Sequence, residues 1–138
     1  DWNLNIFNNH TIEMFSRFPN IETVFISPEL NHRQLRNIKS DKVKKGLVIY
    51  GYLKGMYIEH KKFYDKYKVL KNDLNNIELY LDKPMNLIPK LDEILECNFD
   101  ELRLDFTFES PEEVREIIGS LETRKGKYNP YAFENGVL

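Results

Sequence analysis

The sequence predicts an α/β fold, half of a (β/α)8 TIM-like barrel, with about four parallel strands, their helices and a β-hairpin insertion. Three observations carry that expectation. Short β-branched or aromatic runs alternate along the chain with segments of helical apolar spacing. The 138 residues hold about four such strand–helix units, half of what a closed barrel needs. Polar residues gather directly after the strand-like runs, where parallel sheets carry their sites.

The elements follow in order. Trp2, Leu4 and Ile6 alternate, as in a short strand ending near Phe7. Asn8 or Asn9 can cap a helix holding Ile12, Phe15 and Phe18, which Pro19-Asn20 breaks. "ETVFI" (22–26) reads as a buried strand, and "SPEL" follows it. Asn31 then caps a helix with Leu35 and Ile38. "GLVIY" (46–50) is a third strand, ended by Gly51. "KVL" (68–70) and "IELYL" (77–81) flank an Asn-rich turn and read as the hairpin. Leu87, Ile88, Leu91, Ile94 and Leu95 mark an amphipathic helix ending near Asn98.

The last unit is the most explicit. Leu102, Leu104 and Phe106 share one face of a strand. Ser110, Pro111 and Glu113 form a capping box with a proline start, and Glu112 and Glu113 favour the positive end of the helix dipole. Val114, Ile117, Ile118 and Leu121 then recur at helical spacing and are expected to mark a buried face. Ser110 and Glu113 therefore have structural work, whereas Asp105, Thr107 and Glu109 are left over at the strand's carboxyl end. A Gly/Lys/Asn-rich tail runs from 123 to 138, and residues 1–138 are expected to form a single domain or a fragment of one.

Composition bounds the function. Twenty basic against 22 acidic residues give a net charge of −2, so bulk charge points to neither DNA nor an anionic membrane. A hydrophobic content of 41% suffices for a core, yet no stretch reaches the length of a membrane span. The one cysteine, Cys97, allows no internal disulfide framework and suits a reducing, cytoplasmic setting. The chain opens on Asp1-Trp2, and an excised or processed piece of a longer protein is expected.

Motifs of strong chemistry are missing. His10, His32 and His60 lack ligand spacing, so no metal is expected. No phosphate loop, dinucleotide fingerprint or nucleophile elbow is present. Lys61, Lys62, Lys66, Lys68 and Lys71 interleave with tyrosines and Phe63, a pattern that could suit RNA, although the balanced net charge favours a solvated loop and hairpin face. If all parallel strands point one way, their ends share one mouth. Asn5 and Asn8, Ser27 and Glu29, Tyr50 and Gly51, and Asp105 and Thr107 would then converge there.

The segments "LNIFNNHT" (4–11), "VFISPELN" (24–31), "VIYGYLKGMYIEH" (48–60), "LYLDKPMNLI" (79–88) and "LRLDFTFESPEEVREII" (102–118) occur in that order. Together they resemble the collagenase-like peptidase family of unknown catalytic type, family U, number thirty-two. The resemblance spans nearly the whole chain and matches the last four strands of that family's barrel. It implies a peptidase, or a divergent or incomplete hydrolase domain. Other members of the family take part in hydroxylating RNA or ubiquinone precursors with an iron–sulfur cluster. In that pattern cysteines follow the segment matching "YIEH"; here His60 is followed by Lys61-Lys62-Phe63-Tyr64, so no cluster and no cofactor is expected. The alternative function is a non-catalytic module that binds RNA or a protein partner. Glu29 and Asp105 are the nominated catalytic carboxylates. Asn5, Asn8, Ser27, Tyr50 and Thr107 are the nominated substrate contacts. A half-barrel leaves edges open, so self-association or a missing N-terminal half is expected.

Overall fold

The computed structural model describes residues 4–58, 67–71 and 77–135. In chain order the elements are α1 (Asn9–Phe15), β1 (Thr23–Ile26), α2 (His32–Arg36), β2 (Lys44–Gly51), β3 (Lys54–Ile58) and β4 (Tyr67–Lys71). They continue with β5 (Ile77–Leu81), β6 (Met85–Asn86), α3 (Leu91–Leu95), β7 (Glu101–Asp105) and α4 (Pro111–Thr123). A 3-10 turn, Ile88–Lys90, leads into α3. The expected strand at Trp2 begins outside the described residues, as do His60 and the lysines at 61, 62 and 66.

β2 is the centre of the main sheet. β1 and β7 flank it, both parallel, and Ile6 makes a parallel bridge to Ile26 on the far side of β1. Successive passes of the chain therefore lie side by side in chain order, as short crossovers through α1, α2 and α3 favour. β6 adds an antiparallel contact at Tyr50 and Gly51, ahead of where β1 stops. The fold is mixed α/β with a parallel sheet of three strands, or four with the Ile6 bridge, and four helices among the described residues. The sheet is open; it does not close into a barrel. The hairpin of β4 and β5 forms as expected, and β3 joins it to make a separate antiparallel sheet in the order β3-β5-β4.

Register assigns the faces. Residues paired in parallel strands point the same way. Val24, Ile26, Lys45, Leu47 and Leu102 thus share one face. Thr23, Phe25, Gly46, Val48, Glu101 and Arg103 share the other. The first face meets the helices: buried Lys45 runs past the Phe99 ring and donates from Nζ to the carbonyl of Ile38, just after α2. The second face is largely polar. Thr23 donates to Glu101 at 2.7 Å, and the Arg103 guanidinium lies 5.5 Å from the centre of the Phe25 ring. The Phe25 ring crosses directly over Gly46, where a Cβ would stand 2.7–2.8 Å from three ring atoms. A glycine is required at 46 by this close approach.

The expected caps form. Asn8 caps α1, Asn31 caps α2, and Ser110 and Glu113 box α4 behind Pro111; Gln34 adds a box at α2 that was not expected. α1 and α2 are shorter than their apolar spacing suggests, so Phe18 lies beyond α1 and is 55% exposed. α4 corrects a further expectation. None of its side chains is fully buried; Val114, Ile117 and Leu121 are half-buried and Ile118 is exposed. The chain then turns at Arg124, in the left-handed region with φ 57°, and returns across the ends of the strands. Asn129 and Asn86 exchange backbone hydrogen bonds at 2.9 and 3.1 Å, and the Asn86 side chain donates to the carbonyl of Lys127. Ala132 and Phe133 are buried, and the Phe133 carbonyl accepts from the His32 amide. The tail after Thr123 is an integral part of the fold.

Candidate functional site

The main cavity lies between the carboxyl end of β2, the inner side of α4 and the returning tail, with a volume of about 800 Å³. Tyr50 and Tyr52 line it from the sheet. Glu109, Glu113 and Glu116 line it from α4 and the loop before it, and Lys125 and Lys127 from the tail. Two features leave this space open. α4 docks through half-buried side chains only, and Gly119 and Ser120 present little bulk to it. A Cβ at Gly119 would meet nothing within 4 Å.

Tyr50 and Glu109 are the fixed parts. Tyr50 is 5% exposed and its ring lies 5.7 Å from that of Phe106. Burial, and then the Glu109 carboxylate beside it, push its hydroxyl well above the ordinary phenol range. It is therefore a hydroxyl donor at any physiological pH. Glu109 is held by its own loop: Oε2 accepts from the amides of Thr107 and Phe108 at 2.7 and 2.9 Å. Its second oxygen, Oε1, is buried and closes no hydrogen bond of normal geometry. Glu113 is committed to the cap, accepting from the Ser110 amide at 2.7 Å. On the tail, burial and the nearby Glu134 carboxylate raise the Tyr128 hydroxyl in the same way. Behind Tyr52, Phe108 packs edge-on between Tyr52 and Tyr80, and Lys68 Nζ lies over the Tyr52 and Phe108 rings and 2.7 Å from the Tyr52 hydroxyl.

The residues nominated from the sequence divide. Tyr50 lines the cavity. Thr107 is exposed, does not line the cavity, and contributes its amide to Glu109. Asp105 closes β7 as an ion pair with Arg103, Nε to Oδ1 2.5 Å. Ser27 is wholly buried, its hydroxyl accepting from the Glu29 amide at 3.4 Å. Glu29 is half-buried near Tyr131, whose hydroxyl is raised by burial and then by that carboxylate. Asn8 is occupied with capping, and exposed Asn5 holds a left-handed turn with φ 50°. Glu29 and Asp105 do not line the cavity that Tyr50 lines. Glu109 was visible in the sequence as a carboxylate with no structural task. Tyr52, Gly119 and Tyr128 were not, because nothing local marks a cavity wall formed by a returning tail.

Among the described residues, no group of three or more His, Cys, Asp or Glu is placed to hold a metal ion, and no helix is long and apolar enough to cross a membrane. Compared with known proteins, the chain matches no family model, no curated protein and no solved structure.

Proposed function

We propose that this chain is the later half of a collagenase-like peptidase barrel, an incomplete hydrolase domain that recognises peptides at the Tyr50–Glu109 cavity. The observation that carries the reading is positional. Of the parallel strands, the central one, β2, reaches the cavity with Tyr50 near its carboxyl end, and the carboxyl end of such a strand is the position at which (β/α) enzymes hold their substrates. A cavity of this volume, with apolar ring faces and a few fixed polar groups, has the character of a small-molecule or peptide site. The hydrolytic groups then come from an N-terminal half or a second copy.

A non-catalytic binding module is the second reading. It is favoured by the engagement of Asp105 with Arg103 and by the burial of Ser27, which leave neither poised as a catalytic group. RNA has less support than peptide as its ligand, since Lys68 is drawn onto the Tyr52 and Phe108 rings. Incubating the full chain with a gelatin digest separates the readings. Peptide binding without turnover, with turnover restored by the N-terminal half, supports the proposal. Binding that no added half converts to turnover supports the second reading. Failure to retain any peptide removes both peptide readings.

A further inference from the structure

Resting on the cavity's assignment as the peptide site, we infer that Lys68, on the separate β3-β5-β4 sheet and outside the cavity, is a positioning residue for it. The Lys68 ammonium holds Tyr52, which lines the cavity, and Phe108, which precedes Glu109, in the arrangement that receives a peptide.

Four observations lead there. First, Lys68 reaches two rings at once. Its Nζ lies 4.1 Å from the centre of the Tyr52 ring and 5.0 Å from that of Phe108, and it donates to the Tyr52 hydroxyl at 2.7 Å. Second, no carboxylate pairs with Lys68 among the described residues. Register sets Lys68, Tyr80 and Lys54 side by side on one face of the sheet. Glu78, on the same face, is taken by Lys54 at 3.1 Å and by the Tyr80 hydroxyl at 2.8 Å. The half-buried Lys68 ammonium is therefore held by ring faces and a phenol oxygen, through cation–π attraction and a charge-assisted hydrogen bond. Third, the Phe108 ring is wedged edge-on between Tyr52 and Tyr80, with 5.1 and 5.3 Å between ring centres. What fixes that ring fixes the backbone beside it, and the Phe108 amide donates to Glu109 Oε2 at 2.9 Å. Fourth, Tyr52 and Glu109 line the cavity whereas Lys68 and Phe108 do not, so Lys68 acts on a ligand only through the wall it holds. The consequence is preorganisation. Without the ammonium, a peptide has to order Tyr52 and the 107–109 loop as it binds, and a site ordered in about one molecule in ten binds about tenfold more weakly.

The test compares the full chain with Lys68→Met, which keeps the apolar stem and removes the charge, and with Lys68→Arg, which keeps the charge. Gelatin-digest peptides are titrated into each protein beside its melting curve. The ring-carbon signals of Tyr52 and the backbone amides of Thr107, Phe108 and Glu109 are followed by magnetic resonance. Lys68→Met should bind the digest about tenfold more weakly and shift those signals, and Lys68→Arg should restore most of both. Phe108→Leu should weaken binding in the same way, and the double variant should bind no more weakly than the weaker single one, because both changes act through one contact. Lys68→Gln takes the place of the methionine variant if that protein does not fold. Unmoved Tyr52 and 107–109 signals in the folded, uncharged variant overturn the inference, as does peptide affinity equal to the parent's; both leave the cavity reading standing. A loss that arginine does not restore, or additive losses in the double variant, also overturn it. A parent chain that retains no peptide removes the cavity reading, and the inference falls with it.

Discussion

Gly46→Ala tests the packing that positions the strands. An ideal Cβ at 46 stands 2.7–2.8 Å from Cδ1, Cε1 and Cζ of Phe25. Ordinary carbon contacts lie near 3.5–4.0 Å, so the ring must retreat by roughly 0.7–1 Å. It cannot do so freely, because the Arg103 guanidinium lies against it. Overpacking of this kind costs about 1–3 kcal/mol. The backbone gains part of that back, since alanine in a strand is better than glycine by roughly 0.5–1 kcal/mol. The expected net loss is about 0.5–2 kcal/mol, read as a lower urea midpoint with an unchanged slope. In a Phe25→Leu background the thinner, more flexible side chain should relieve the clash, and the same alanine should be neutral or stabilising. A Gly46→Ala protein as stable as the parent, with Phe25 in place, would refute the stacking of Phe25 over β2.

Three further outcomes are expected. Ser110→Ala removes a hydroxyl that accepts from the Glu113 amide at 3.3 Å and should cost about 1 kcal/mol in thermal or chemical unfolding, with peptide binding intact in the folded protein; lost binding at unchanged stability would make Ser110 a ligand contact. Tyr50 holds its proton more tightly folded than unfolded, so its contribution is fully present below about pH 10 and is lost as pH climbs above that value. Unfolding curves should weaken through that alkaline range, and less steeply in Tyr50→Phe; identical alkaline profiles would contradict the assignment. Self-association is the third: the outer edge of β7 pairs with no strand among the described residues, and sedimentation at micromolar concentration should show a dimer, whereas a clean monomer would refute it.

The legible parts of this protein were those governed by local chemistry. Asn31, and Ser110 with Glu113, announce helix starts because their side chains satisfy backbone amides within one turn. The β-branched runs of β1 and β2 announce buried strands, and the Asn-rich turn announces the hairpin. What the sequence hid depends on contacts far apart in the chain. Which way each strand residue points is one such case: Val48 points away from Val24, Ile26 and Leu102, which share a face. Strand alternation alone says that two faces exist, and only register says which residues of neighbouring strands share one. The pairing of the tail with Asn86 was equally invisible, because residues 124–131 carry the composition of a loop. The cavity followed that omission. Tyr50 was reachable as a strand-end residue and Glu109 as an unemployed carboxylate, but the wall opposite them is built by the returning chain.

The most direct measurement fills the cavity without disturbing the fold. Gly119 lies within α4, lines the cavity, and has open space where a side chain would begin. Leucine there removes a helix-interior glycine, worth up to roughly 0.8–1 kcal/mol of propensity, and projects four carbons into the proposed site. Peptide affinity of Gly119→Leu, measured beside its melting temperature, should show binding abolished in a protein as stable as the parent or more so. Full peptide affinity in stable Gly119→Leu would contradict the account and move the binding site away from the end of β2.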